Sequence, residues 1–395
     1  MTTESFTLPP TTEDGGRILL AWLRDMRDGN PVWRDQYGMW HVFRYADVEQ
    51  VTSDPELFSS DQTRLIPSMR TIAEGMLTRL DPPLHRKLRR LVSQAFTPNV
   101  VAALAPRIGE VTNELLDAVG SAEEWDIVTD LAYPLPVIVI AELLGLPIGD
   151  RELFRAWAAR LFDMTVADPN DPDFMPLVEE AMAEMRSYLL QACLDRRAHP
   201  RGDLISKLAT AEVDGERLTD NEVVGFSTVL LIAGHITTTI LLGNTVLCLD
   251  EHPHALDELR ADRSLVPAAL EEVLRYRSPF TLLGRVTTRE AELSGEVVPP
   301  NVFVMAWLLS ANRDERAFVD PDRFDLHRSP NHQIAFGHGI HFCLGAPLAR
   351  LEAKIALNIL LDRFTEIHVR PGAQLMFYPR GIFGARCVPV TVRHA

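Results

Sequence analysis

The sequence predicts a fold that is mainly α with small β-sheets, built as a single domain over residues 1–395. Three observations predict it. Helical periodicity dominates from about residue 85 to residue 278. The strand-like segments are short and flank that block. No repeat, low-complexity tract or long linker divides the chain, and a hydrophobic fraction of 46% over 395 residues is enough to bury a large core. Length alone would suggest two or three domains, but no break in composition supports a split.

The elements follow in chain order. The first residues read MTTESFTLPPTTEDGG, with no basic segment and no apolar run, so neither an export signal nor a membrane anchor is expected. Residues 1–15 are expected to be flexible. Met39–Phe43 alternates as a strand does. Pro98–Ala118, Asp150–Phe162 and Pro176–Arg197 carry helical periodicity. Asp130–Leu144 is apolar and helical, with Pro134 and Pro136 leaving its start open. Val166–Phe174 reads as a turn, with Asp168, Asp171 and Asp173 among prolines. Thr281–Thr288 and Val302–Leu309 are β-branched and apolar, and Arg386–Val392 also reads as a strand.

Asn221–Glu251 is the longest helical segment, with Thr219 or Asp220 as its cap. At ~1.5 Å per residue it spans roughly 45 Å, the width of a domain. It is apolar on most faces, but His235, Asn244, several threonines and three glycines interrupt it, so a buried central helix is expected rather than a membrane span. The run AGHITTT, Ala233 to Thr239, lowers helix propensity and buries hydroxyls. Local disruption of the helix beside a ligand is one reading of it. Threonine hydroxyls bonding back to the previous turn is the other.

The formal net charge is −16, which disfavours nucleic acid and anionic membrane as partners. Of four cysteines, none sits in a Cys-x-x-Cys pair, which argues against zinc. Cys193, Cys248 and Cys387 are expected to be small buried hydrophobes. Cys343 is different. It lies in FGHGIHFCLGAPLAR, where glycines permit positive φ and close approach of backbone to a ligand. A helical pattern, Ala346 to Phe364, follows at once. A cysteine just before a helix N-terminus meets free amides and the helix dipole, which favour thiolate and suit it to hold a metal.

This segment resembles the haem-binding loop of the cytochromes P450. Phe336, Gly337, Gly339, His341, Cys343, Gly345, Leu348, Ala349 and Arg350 match the bacterial pattern. The resemblance extends over about residues 40–395. It implies a single-domain cytochrome P450 fold with the long central helix over the haem, and Cys343 as the axial iron ligand. It also implies that Glu272 and Arg275 of EEVLRY form a structural ion pair completed by a later arginine, read here as Arg323. His85 and Arg89 of DPPLHRKLRR, with Arg285 and His341, are implied contacts of the haem propionates. Spacing i, i+4 puts His85 and Arg89 on one helix face.

On the central helix, the family's oxygen-binding groove corresponds to Ala233, Gly234 and Thr237, with Thr238 beside them as a second hydroxyl. The family usually carries an acid just before that threonine, and this sequence has Ile236. Protons are therefore expected to arrive through water, through Thr237 and Thr238, or through a substrate hydroxyl.

The resemblance implies a haem b monooxygenase that inserts one atom of O2 into a hydrophobic small molecule, by hydroxylation or epoxidation. A tailoring step on a macrolide-like polyketide or other secondary metabolite is the expected setting. Electrons are expected from NAD(P)H through ferredoxin and ferredoxin reductase, docking near Arg86, Lys87, Arg90, Arg350 and Lys354. A cytoplasmic monomer is expected. The alternatives are a catalytically silent haem-binding module and a peroxide-driven peroxygenase. Candidate substrate-pocket residues are Phe162, Met164, Val229, Ala233, Phe280, Leu282, Leu283, Ile382 and Phe383, with the loop Arg64–Leu80 beside them.

Overall fold

A computed structural model describes residues 8–70, 75–150, 152–154, 156–157, 160, 174–213 and 215–395. Helices form one layer-like mass around the segment Asp220–Glu251, and short sheets lie at its margin. The central helix starts in a capping box: the Thr219 hydroxyl accepts from the Glu222 amide, and the Glu222 carboxylate accepts from the Thr219 amide. Its sides pack against Pro134–Leu144, Phe174–Ala198, Val266–Tyr276 and Ala346–Arg363. It is long and apolar enough to cross a membrane by composition alone, yet 67% of its most apolar window is buried inside this fold. Each Leu, Ile or Val it buries contributes about 1.5–3 kcal/mol, and that burial, not propensity, holds a threonine-rich helix together.

The helix runs unbroken through Ala233–Thr239, so the expected local disruption does not occur. The hydroxyls find partners within the fold. Thr237 Oγ1 donates to the Ala233 carbonyl at 2.7 Å, and Thr239 Oγ1 lies 3.1 Å from the His235 carbonyl and 3.0 Å from that of Ala132.

Prolines place several boundaries. The periodic stretch from Pro98 is two helices, Pro98–Ala102 and Ala105–Val119, because Pro106 has no amide to continue the ladder and restarts the helix at its first turn. Val128–Ala132 is one π-helical turn, and the α-helix proper begins at Pro134. Residues 152–154 and 156–157 of the predicted helix Asp150–Phe162 are helical, and its end lies outside the described residues, as does the aspartate-rich turn.

The larger sheet is mixed. Its order is Val32–Arg34, Trp40–Val42, Phe303–Ala306, Leu283–Thr287 and Phe58–Ser59. Phe303–Ala306 runs parallel to Trp40–Val42 and antiparallel to Leu283–Thr287, pairing Val304 with Arg285. The predicted strand Val302–Leu309 ends early, and Leu308–Ala311 coils into a buried helical turn. A short apolar run has no periodicity to separate the two forms. The second sheet joins Phe364–Val369, Pro389–His394 and Glu124–Asp126.

Residues 1–7 of the expected flexible leader lie outside the described residues, but the chain is anchored from Thr12 onward. Its amide donates to the Pro379 carbonyl at 2.9 Å, its hydroxyl donates to the Tyr378 carbonyl, and its side chain is buried. Gly16, at φ 79°, lies so close to the Phe383 ring that a Cβ would fall 2.4 Å from it.

The ion pair of Glu272 and Arg275 is present, fully buried and bidentate at 2.8 Å for both bonds. Its third member is Arg328, not Arg323. Arg328 Nε lies 3.1 Å from both carboxylate oxygens of Glu272. Arg323 turns its side chain outward and contributes only its carbonyl, which accepts from Arg275 at 3.0 Å and Arg328 at 2.9 Å.

Candidate functional site

Between the central helix and the segment around Cys343 lies a cavity of about 240 Å³. One wall is the helix face bearing Phe226, Val229, Ala233, Gly234, Thr237 and Thr238. The opposite wall is the loop Phe336, Gly337, His341, Cys343, Leu344 and Gly345. Glycines shape this loop. Gly337 and Gly339 sit at φ 72° and 69°, and a Cβ on Gly339 would fall 2.7 Å from the Ser53 backbone. The Cys343 amide donates to the Phe336 carbonyl at 3.0 Å, which locks the loop.

Cys343 sits just before the helix Ala346–Arg363. Burial pushes its thiol up. The amides of Gly345 and Ala346, together with Arg89 and Arg350, pull the other way. Four donors or cations aimed at one sulfur stabilise a thiolate once a bound metal takes over the cost of its desolvation.

Beside the thiol lies a cationic cluster short of anions. The His85 and His341 rings are 4.3 Å apart, and both nitrogens of His85 and Nε2 of His341 have no partner among the described residues. Burial, with Arg89 next, holds His85 down at about 4. Burial, with Arg285 next, holds His341 at about 3. Burial also lowers Arg285 to about 10. Arg89 donates to the Phe342 carbonyl at 2.9 Å. Asp81 is the carboxylate whose charge reaches His85 and Arg285, but Ser59 and the Ser60 amide already engage it. Orphaned buried nitrogens are costly, so this cluster is built for carboxylates from elsewhere. A flat group with two carboxylates at one edge and a metal at its centre meets both requirements at once. The residues fit haem b.

Known proteins share this architecture. The cytochrome P450 family profile matches residues 31–379. The chain is 48% identical to cyclomarin C epoxidase CymV of Salinispora arenicola, over 98% of this chain and 99% of the relative. It is 49% identical to the erythromycin C-12 hydroxylase of Saccharopolyspora erythraea, over 94% of each. Among solved structures it resembles ligand-free cytochrome P450 TbtJ1, at 55% identity and a TM-score of 0.91, covering 97% of this chain and 99% of that one. This chain belongs to the cytochrome P450 family. It is a haem-dependent monooxygenase that works with haem b, O2, electrons from redox partners and a hydrophobic substrate.

Of the residues singled out in the sequence, Arg89, Ala233, Gly234, Thr237, Thr238, Phe336, Gly337, His341, Cys343 and Gly345 line this cavity together. His85 and Arg285 stand behind His341, coupled to it electrostatically. Gly234 serves packing as well as space, because a Cβ there would fall 2.6 Å from the Ile140 side chain.

The substrate candidates divide. Val229, Ala233, Phe280 and Leu283 line the cavity, joined by Leu77 and Thr78 from the loop Arg64–Leu80. Phe162 and Met164 lie outside the described residues. Leu282 and Phe383 pack instead into the N-terminal aromatic cluster, and Ile382 packs with Ile236, Ile240 and Tyr378. Strand and turn geometry alternates side chains, so neighbours in sequence face opposite ways. Ile236 is buried in that same apolar cluster and does not line the cavity.

Residues that no motif singled out include Phe96, Phe226 and Glu352, all on the cavity wall. Arg79, whose guanidinium is lowered by burial, adds its charge to the environment of Arg285. Phe226 lies at i−7 from Ala233, a helical spacing that would have found it had the helix face been known.

Proposed function

We propose that Cys343 is the axial ligand of haem b and that the chain hydroxylates or epoxidises a macrolide-like polyketide or comparable secondary metabolite. The observation that carries this is the single cavity that holds both the Cys343 thiol and the anion-deficient cluster of Arg89 and His341. In this reading Cys343 holds the iron, and Arg89, Arg285, His85 and His341 hold the two propionates. Haem bound this way supplies an electron-rich iron for activating O2.

The chain's own residues do the rest. Val229, Leu230, Phe280 and Leu283, with Leu77 and Phe226, form an apolar wall that draws in a hydrophobic substrate and excludes water. Thr78 adds a hydroxyl to that wall, and Thr237 and Thr238 add two more from the central helix. Relatives named for cyclomarin C and for erythromycin support a substrate of natural-product type.

We place the enzyme in the cytoplasm as a single-domain monomer over residues 1–395, reduced by a ferredoxin and its reductase. Arg86, Arg90 and Lys354 are exposed, and so is Phe342, next to Cys343 in sequence, at 40%. Lys87 and Arg350 already pair with Glu216 at 3.3 Å and Glu271 at 2.6 Å, so they contribute less steering charge than expected.

The test is direct. Purified protein loaded with haem gives the red-shifted ferrous-CO band of thiolate ligation, and Cys343→Ser abolishes it. Turnover of a macrolide panel requires NADPH, ferredoxin and reductase. Retention of the band in Cys343→Ser overturns the ligand assignment. Product with peroxide alone, and none with NADPH, overturns the ferredoxin-fed reading.

A further inference from the structure

The two adjacent carboxylates of EEVLRY face different neighbours. Glu272 turns into the core and binds Arg275 and Arg328. Glu271, one residue earlier on the helix Val266–Tyr276, turns to the helix Ala346–Arg363 that follows Cys343. Those two helices pack on each other. Successive residues on a helix do not share a face, so the bridge of Glu272 does not account for Glu271.

Glu271 grips Arg350 with both oxygens. Arg350 Nε donates to Oε1 at 2.6 Å, and Nη2 donates to Oε2 at 2.9 Å. Gln333 Nε2 donates to the same Oε2 at 2.9 Å, while Gln333 Oε1 accepts from the Ala335 amide at 2.7 Å. Held this way, the guanidinium carbon of Arg350 lies 4.6 Å from the centre of the Phe336 ring. The carbonyl of Phe336 accepts from the Cys343 amide at 3.0 Å. One carboxylate therefore ties down both ends of the cysteine loop, its entry through Gln333 and its exit through Arg350.

Arg89 and Arg350 both bring their charge to the Cys343 sulfur. They differ in what balances them. Arg89 donates to the Phe342 carbonyl and pairs with no carboxylate among the described residues. Arg350 is balanced by Glu271. The ring of Phe336 would hold a guanidinium without any acid nearby. The acid adds a negative charge that offsets most of what Arg350 brings to the sulfur.

We propose that Glu271 is a positioning residue that sets the reduction potential of the haem, by holding Arg350 beside the thiolate and offsetting its charge. The inference rests on Cys343 being the axial ligand. On reduction one electron enters the haem site, supplied from NAD(P)H through the redox partners, and no bond of the chain forms or breaks. The reduced site is more negative by that one charge. A nearby cation favours it, and a nearby carboxylate opposes it.

The test is a redox titration of the haem-loaded wild type, Glu271→Gln, Arg350→Gln and the double variant, followed by absorbance. Glu271→Gln leaves the cation without its counter-charge. It raises the equilibrium constant for one-electron reduction about threefold to tenfold, or about 30–60 mV at ~59 mV per tenfold. Arg350→Gln leaves the carboxylate alone and lowers that constant by a similar factor. The double variant returns to within about twofold of the wild type. Glu271→Asp keeps the charge and stays near the wild type.

A clamp that only shapes the loop would move both single variants in the same direction and the double variant at least as far. That pattern overturns the proposal, and so do potentials unmoved in both single variants. Should Glu271→Gln fail to take up haem, Arg350→Gln decides alone, and an unmoved or raised potential overturns the proposal. The ferrous-CO band of the wild type separates this inference from the reading beneath it. Without the thiolate band the ligand assignment fails and the proposal with it. With the band present and the potentials unmoved, the proposal alone fails.

Discussion

The rings of His85 and His341 lie 4.3 Å apart at the edge of the haem cavity, and three of their four nitrogens lack a partner among the described residues. Two imidazoles from segments far apart in sequence meet there, next to Arg89 and Arg285. Their shared surroundings make them receptors for carboxylates.

The titration of His85 follows from this. Its folded value, about 4, lies below the ordinary 6.5, so the folded chain without haem keeps it neutral while the unfolded chain takes up a proton. Stability from this group is present above pH 6.5 and is lost as pH falls from 6.5 towards 4. Urea midpoints of haem-stripped wild type should fall across that window. His85→Leu should lack this component, so the two curves converge as pH falls. Parallel curves would refute the assignment. Propionates beside the ring favour the imidazolium, so haem-loaded protein should lose less over the same range.

Arg328 and Arg323 are distinguishable by stability. Arg328 completes the buried bridge to Glu272, so Arg328→Ala leaves that carboxylate short of a counter-charge and should cost about 3–5 kcal/mol. Arg323→Ala removes an exposed side chain and keeps the carbonyl that does the bonding, so it should stay within about 0.5 kcal/mol. Denaturant midpoints of the two variants decide the matter. A larger loss for Arg323→Ala would contradict the observed bridge.

Ile236 sits 5% exposed among Ile240, Tyr378 and Ile382. A glutamate there would place a carboxyl in apolar packing, not in the cavity. Ile236→Glu should therefore destabilise the fold by about 2–4 kcal/mol and leave product per NADPH unimproved. A coupling gain with unchanged melting temperature would show that the side chain reaches the cavity after all.

Thr78 is the hydroxyl set in the otherwise apolar substrate wall with Leu77, Phe226 and Val229. Thr78→Val keeps the shape and removes the hydroxyl. Ligands with a hydroxyl in reach should bind about fivefold more weakly, near 1 kcal/mol, while their deoxy analogues bind as before. Spectral titrations with matched pairs read this out. An equal change for both members of each pair would leave Thr78 with a packing role alone.

Much of the site is legible in the amino-acid sequence. The glycines around Cys343 announce a loop that closes on a ligand, and φ values of 72° and 69° at Gly337 and Gly339 are the conformations they permit. The i, i+4 spacing of His85 and Arg89 marks one face of a helix, and the spacing of Glu272 and Arg275 marks another. Helix existence follows from periodicity, and proline places several ends.

Local sequence dictates that a thiol is presented on a glycine loop ahead of a helix and that a long capped helix forms the core. These features are set by backbone freedom, capping and side-chain spacing within a few turns. Tertiary packing was needed to settle that Arg328 completes the bridge, that Ile382 and Phe383 pack away from the cavity, and that Glu352 lines it. The reason is clearest on the central helix. It is apolar nearly all round, so no polar stripe says which face meets the cavity and which meets Tyr378. Its orientation is set by the helices packed on every side of it, and that rotation turns Thr237 and Thr238 towards the cavity and Ile236 into the core.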